Sequence, residues 1–410
     1  MLTKLPVYLD YQATTPCDKR VVEKMIPFFS DIFGNPSSDT HTYGWEASQA
    51  VESARQQIAS VVGAKPEEIF FTSGASESNN LAIKGTAQFL INHPIRPKNH
   101  ILTCATEHKS VLESCRSLEK NGVHTTYLPV NGLGIIDLDQ LSENITDQTF
   151  LVSIMAVNNE IGVIQNLKEI GKICRSKNVY FHVDAAQGFG KIKINVDENN
   201  IDMMSISSHK IYGPKGVGAI YIRKRPKVKL FPILHGGGQE RGIRSGTVPS
   251  ALCVGLGEAA EIMDKEREKD WQHALILRNK FLDIIMRECS EVHINGCMEK
   301  RVPINVNLCF SCVESEGLMT CAKDVAISAG SACSSAFLEP SYVICALGIT
   351  EDLINTATRI SFGRNTTEEE AEFAAHHIAE TVNRLRRMSP LWDSKNNRSL
   401  TRFPCHCPMK

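Results

Sequence analysis

At 410 residues the chain exceeds the usual size of one domain, so two domains sharing a large core are expected. A 42% hydrophobic fraction, a 22% charged fraction and a net charge of −1 exclude any global bias toward nucleic acid or anionic membranes, so a charged partner must be met locally. No apolar stretch reaches the roughly 18 residues that cross a bilayer, and the chain enters its periodic pattern at Val7-Tyr8-Leu9 without a secretory preface, so its 14 scattered cysteines predict free thiols in a reducing compartment.

From about residue 66 to 225, short apolar runs alternate with helical stretches, the pattern of a mainly parallel sheet wrapped by helices. Each run delivers polar groups at its end. Glu68-Ile-Phe-Phe71 leads into Thr72-Ser73-Gly74-Ala75-Ser76, which can present N–H groups and hydroxyls to a phosphate at a helix start, or be a simple capped turn. Ile101 to Cys104 leads into Thr106-Glu107-His108, and His108 suits stacking on a cofactor ring if it is not an ordinary loop histidine. Phe150 to Met155 precedes Asn158-Asn159-Glu160, and Tyr180 to Val183 precedes Asp184. A carboxylate in that setting needs a partner, and a pyridinium nitrogen would be one, with helix capping the plainer alternative. Asn159 and Gln187 fit hydrogen bonds to a ring hydroxyl, or turn polarity. The run Ile201 to Ile206 ends in Ser207-Ser208-His209-Lys210 beside Tyr212-Gly213-Pro214, placing a lysine where a Schiff base could form. Five strands aimed at one edge argue for a single shared site.

The basic run Arg223 to Lys229 reads as a solvated turn or as a patch for acidic partners. Glu258 to Arg287 reads as a helix connecting to a second domain that would hold Val302 to Phe310, a cysteine loop and Arg359. The fork of Arg359 suits a substrate α-carboxylate; a surface salt bridge is its alternative. Ser328-Ala-Gly-Ser-Ala-Cys333-Ser-Ser-Ala-Phe337 places one thiol in a run of small residues that permits movement, a second nucleophile beside Lys210. Together these groups imply pyridoxal phosphate chemistry joined to sulfur chemistry. Cys309 and Cys312 read as two small core residues on a strand, and Cys405-His406-Cys407 as part of a polar, irregular end; neither has the second pair of a structural zinc site.

These residues jointly resemble the cysteine desulfurases, fold-type I pyridoxal phosphate enzymes of aminotransferase class V, and within them the housekeeping branch that serves iron–sulfur cluster assembly. The resemblance covers nearly the whole chain, through Tyr8 to Pro16, Gly34-Asn-Pro-Ser37, Val157-Asn-Asn-Glu-Ile-Gly162, Ser207 to Lys215, Arg244-Ser-Gly-Thr247 and Leu338-Glu-Pro-Ser-Tyr342. It implies a large cofactor domain over 15–260 with a mainly parallel seven-stranded sheet, a smaller α+β domain from 1–14 and 261–388 carrying the cysteine loop at about 328–340, and a tail over 389–410. It also implies that Lys210 holds pyridoxal 5′-phosphate covalently, that His108 stacks on the ring, and that Asp184 binds the ring nitrogen. Asn159 and Gln187 would meet the ring hydroxyl, and Ala75, Ser76, Ser207 and His209 the phosphate, with Thr247 reaching it from the other subunit of a homodimer. Arg359, with Asn159, would bind the substrate L-cysteine, and Cys333 would accept its sulfur as a persulfide, with alanine as coproduct. A thiol of ordinary pKa near about 8.5 needs help to react as thiolate, and His108 would supply it.

Implied partners are an iron–sulfur scaffold protein, other persulfide acceptors and a frataxin-like acidic protein, with tRNA thiolation as a further outlet. No resident metal is expected, although Cys333 would contact a cluster in passing, and no direct nucleic-acid or membrane partner is expected. The bacterial cytoplasm or a mitochondrial-type matrix suits such a chain. Where relatives continue Cys-Thr-Ser-Ala-Ser, this chain has Cys333-Ser-Ser-Ala-Phe337, and Cys345 stands where relatives carry arginine. Rival readings are a selenocysteine lyase or other class V enzyme, and a catalytically weak docking scaffold.

Overall fold

The computed structural model describes residues 4–91, 97–329 and 340–400; Cys333, Cys405 and Cys407 lie outside the described residues. After β1 (Val7–Tyr8), a seven-stranded sheet forms from β2 (Ile69–Thr72), β3 (His100–Cys104), β4 (His124–Leu128), β5 (Thr149–Ser153), β6 (Tyr180–Asp184), β7 (Met203–Ser207) and β8 (Gly218–Ile222). Its spatial order is β2-β8-β7-β6-β5-β3-β4, and β8 alone runs against the others. Because β2 and β7 both pair antiparallel with β8, their carboxyl ends meet those of β3, β5 and β6 at one edge. The inner strands are buried on both sides, while β4 at the edge is half-exposed. Leu102, Val152, Val183 and Met204 pack in one core cluster, while their neighbours Ile101, Leu151 and Met203 pack in another on the opposite face.

A second cluster of elements follows: β9 (Val292–Ile294), β10 (Asn305–Phe310), β11 (Val325–Ala326) and β12 (Ala357–Ser361). β12, β10 and β9 make an antiparallel sheet, whereas β11 pairs in parallel with β1, drawing the start of the chain to this side. Val7, Leu9, Val306, Leu308 and Ile360 share a core with the helix Glu368–Met388. One 39-residue helix, Ser250–Glu288, contributes Leu256 and Met263 to the large-sheet core and Leu277 and Phe281 to this one. At 1.5 Å per residue it is about 58 Å long. It starts eight residues before the charged stretch read as the connector because its first turns are apolar and close-packed. A Cβ on Gly257 would lie 2.6 Å from the Ala54 Cα of helix Thr42–Val62, so glycine is required there despite its cost within a helix.

Three readings are corrected. Cys312 is not on a strand: β10 ends at Phe310, and Cys312 turns away with φ 64° to reach Ser399, while Cys309 is buried in the strand. The tail is not irregular throughout, since β13 (Trp392–Asp393) and β14 (Arg398–Ser399) form a hairpin whose Trp392 ring lies 4.1 Å from the Arg386 guanidinium. Arg223 does not belong to a solvated patch; it is buried, bonding the Ile201 and Val196 carbonyls and Asp197, and the exposed basic groups begin at Lys224.

Candidate functional site

A cavity of about 410 Å³ opens at the shared carboxyl edge of the large sheet. Its walls bring together Ala75, Ser76, His108, Asn159, Asp184, Gln187, Ser207, His209, Lys210 and Arg359. Each comes from the end of a large-sheet strand or the segment just past it, the position its apolar run predicts, except Arg359, which enters from β12 of the smaller sheet. Thr247 does not join them; it is exposed, outside this cavity.

Lys210 ends a short 3₁₀ turn, Ser208–Lys210, directly after β7. Its Nζ donates to the Gln12 and Ala13 carbonyls, both at 2.7 Å, so the amine is held by the N-terminal turn. Asp184 closes β6, where its carboxylate accepts from the Ala186 N–H at 2.9 Å and from Asn79 Nδ2 at 2.7 Å. These bonds satisfy part of a buried charge and fix its plane. His108 caps the helix Lys109–Glu119: its Nδ1 accepts from the Ser110 N–H at 3.1 Å, which leaves the proton of the neutral ring on Nε2.

The corner of the cavity at the end of β2 is shaped by backbone. Gly74 has φ 154° and ψ 176°, a region open essentially to glycine alone, and it hands the chain from β2 into the helix Ala75–Asn80. Glu77 in that first turn is neutralised by Arg244, whose Nε donates at 2.9 Å and whose charge helps hold the carboxyl below its usual range against the effect of burial. Across the cavity, burial and the Lys210, Lys215 and Lys191 cations push His209 down to about 4, so it stands neutral, with Nδ1 3.1 Å from Thr14 Oγ1.

Arg359 is not a surface salt bridge. It is 2% exposed, with Nη1 donating to the Asn159 carbonyl at 2.8 Å and Nη2 to Asp10 at 2.7 Å. Among the described residues its Nε has no partner, and neither does the buried Asn159 Oδ1. A donor and an acceptor thus stand unpaired in the wall of one cavity, the arrangement of a site that a polar ligand completes. Behind them lie two carboxyls that strand-end reasoning passed over. Glu107 is wholly buried and raised well above its usual range by burial and by Asp184, and Glu160 is raised by burial while accepting from Ser341. Gln12, Asp10 and Asn79 were also missed. Only the helical spacing of Asn79 from Ser76 hinted at a shared face.

An α/β scaffold of this order, with a lysine, a buried aspartate and a glycine-led helix start at one sheet edge, defines a fold-type I transferase. The chain belongs to the aminotransferase class-V family, whose model matches residues 7–373. It is 58% identical over 389 residues to the cysteine desulfurase IscS of Rickettsia bellii (strain OSU 85-389), covering 95% of this chain and 94% of that one. It is 57% identical, with the same coverage, to the cysteine desulfurase IscS of Rickettsia prowazekii (strain Madrid E). Among solved structures, a NifS-like protein superposes with a TM-score of 0.85 at 37% identity over 92% of this chain and 99% of that one. A structure of SspA in complex with cysteine gives 0.78 at 40% identity over 88% and 99%.

Proposed function

We propose that the chain is a cysteine desulfurase that turns L-cysteine into L-alanine and keeps the sulfur as a persulfide on Cys333, for iron–sulfur cluster assembly and tRNA thiolation. The observation that carries this reading is the convergence of Lys210, Asp184, His108 and the half-satisfied Arg359 on one cavity, in a chain 58% identical to a cysteine desulfurase.

The residues present fit pyridoxal 5′-phosphate: a glycine-led helix start at Ala75 and Ser76 with Ser207 and His209 for the phosphate, a buried carboxylate at Asp184 for the ring nitrogen, and an amine at Lys210 within the same walls. When bound, that cofactor supplies an electron sink at the α-carbon of an amino acid. Asp184, held by Asn79 and the Ala186 N–H, would pair with the ring nitrogen, and Asn159 and Gln187 would meet the ring hydroxyl. Arg359 receives the substrate carboxylate with its spare Nε, and its bonds to Asp10 and Asn159 fix the fork in advance. Lys210 takes the α-proton once its Nζ leaves the Gln12 and Ala13 carbonyls, and His108 handles the thiol proton. The Cys333 sulfur bonds the substrate sulfur as the carbon–sulfur bond breaks, and the carbon receives a proton, so cysteine and one thiol give alanine and one persulfide.

Thr247, exposed on this chain, reaches the phosphate of a second copy in a homodimer. The divide between a cofactor lobe and a smaller lobe falls near residue 260, within the long helix whose two ends serve different cores. Lys224, Arg225, Lys227 and Lys229 offer an exposed basic face to an acidic assembly partner, and a scaffold protein receives the sulfur in the bacterial cytoplasm.

The test is alanine and sulfide release from L-cysteine, with the visible spectrum, for wild type and Cys333→Ala. Yellow, active wild type beside a yellow, inactive variant supports both assignments. Undiminished sulfide release by the variant overturns the role of Cys333 and favours direct elimination, as in a selenocysteine lyase.

A further inference from the structure

Lys191 stands behind the cavity, outside the groups assigned above. It follows Gly190, whose φ of 74° and 3.0 Å approach to Met263 exclude a larger residue, and its N–H bonds the Gly188 carbonyl. Its Nζ donates to Gln187 Oε1 at 2.9 Å. Gln187 Nε2 donates in turn to the Gln12 carbonyl at 2.9 Å, the same oxygen that accepts from Lys210. This short chain of bonds fixes which end of the Gln187 amide faces where. The Gln12 carbonyl can only accept, and the lysine donates, so oxygen points to Lys191 and nitrogen to Gln12. The second hydrogen of that nitrogen is left for the cavity that Gln187 lines.

We propose that Lys191 is a positioning residue that latches Gln187 so that an N–H donor, not a carbonyl, meets the cofactor's ring oxygen, favouring the anionic form of that oxygen. The inference rests on the cofactor reading given above. The partner of Lys191 is an amide rather than a carboxylate; among the described residues it takes part in no ion pair. Burial and the Lys210 and Arg359 cations lower it to about 7, but the latch needs only an N–H, which the amine keeps in either state. Other charged groups on the walls around it are Arg267, Asp270 and Arg364 on the side of the small apolar cavity behind Lys210, and Lys210, Asp184 and Lys215 on the cofactor side.

The experiment uses cofactor-loaded wild type, Lys191→Met, Lys191→Arg, Gln187→Leu and the Lys191→Met/Gln187→Leu double variant. The readouts are the pH midpoint of the visible band and the rate of cofactor loss on dialysis. The midpoint is expected to rise by about half a unit or more in each single variant lacking the latch, a threefold or larger change, and to rise no further in the double variant. Lys191→Arg, which keeps N–H donors, is expected to stay near wild type. Additive shifts in the double variant, or a Lys191→Met midpoint equal to wild type, overturn the proposal. An unmoved midpoint in Gln187→Leu alone also overturns it, even if Lys191→Met does not fold. A wild type that takes up no visible band with pyridoxal phosphate would instead remove the cofactor reading on which the latch depends.

Discussion

Arg359 and Arg386 are both almost fully buried, 2% and 1% exposed, yet the smaller lobe uses them in opposite ways. Arg386 gives Nε to the Ser311 carbonyl, Nη1 to Ser290 and Nη2 to Glu291, and stacks on Trp392. All three nitrogens are engaged by the fold. Among the described residues Arg359 keeps Nε unpaired at a cavity wall and shares its other two nitrogens between Asp10 and Asn159. Burying a donor without a partner costs on the order of 1–3 kcal/mol, and Arg278 Nε is also unpaired among the described residues, so what sets Arg359 apart is that its spare donor stands in the wall of the cavity with the unpaired Asn159 Oδ1. Incomplete hydrogen bonding at a cavity wall, rather than burial, is what distinguishes Arg359 from Arg386 and supports the proposed binding role.

The largest effect that sharpens this contrast is on substrate use. Arg359→Met is expected to lower kcat/KM for L-cysteine about a hundredfold or more, carried mainly by KM, with a melting temperature close to wild type. Steady-state kinetics within about threefold of wild type would end the assignment. Arg386→Met inverts the pattern. Three carbonyls lose their donor and Trp392 loses its cation, so unfolding by urea should show a loss of about 3 kcal/mol, while kcat/KM of the folded fraction stays near wild type.

What could be read without coordinates follows the same division. Lys210, Asp184 and His108 were legible because each sits within four residues of the end of an apolar run, and a strand's carboxyl end is a local property. β4 and β8 escaped notice for physical reasons: His124-Thr-Thr-Tyr-Leu128 is half-exposed and mostly polar, as an edge strand can be, and Gly218 opens β8 with a residue that signals a turn. Arg223 was taken with its charged neighbours because a run of basic residues does not reveal that one member turns inward to carbonyls. Asp10, Gln12, Asn79 and Lys191 act through partners far along the chain, as with Asn79 and Asp184, or through an amide whose orientation depends on tertiary packing. No local pattern carries such information.

His182 extends the contrast to a group that titrates. It lies two residues before Asp184 on β6, wholly buried, with Nδ1 2.8 Å from Ser153 Oγ and Nε2 2.9 Å from Ser205 Oγ, so it is saturated like Arg386. Burial pushes it down to about 4 from an ordinary value of 6.5, despite the opposing charge of Asp184. A folded value below the unfolded one means the unfolded chain binds the proton first. Its stabilising contribution is therefore complete above pH 6.5 and drains away as pH falls toward 4, amounting to about 2 kcal/mol by pH 5. Unfolding free energies from urea titrations at pH 7 and 5 should separate by about that amount more in wild type than in His182→Gln. An equal gap in the two proteins would mean that His182 is protonated in the fold.

The smallest effect belongs where completeness is reached in open water. Arg20 bonds both Asp18 and Glu266, but it is about half exposed, and Asp18 and Glu266 are also within ion-pair reach of Arg364. Arg364 is the better buried cation, paired with Asp270 at 2.7 Å and set 4.7 Å from the Tyr212 ring. Removing Arg20 leaves neither carboxylate without a cation, and water replaces the lost donors. Arg20→Ala should then cost less than about 1 kcal/mol, and the difference should shrink further at high salt, where exposed charges are screened. A loss as large as that of Arg386→Met, unaffected by salt, would mean that the number of bonds alone sets the energy, and that the contrast between Arg359 and Arg386 has another cause.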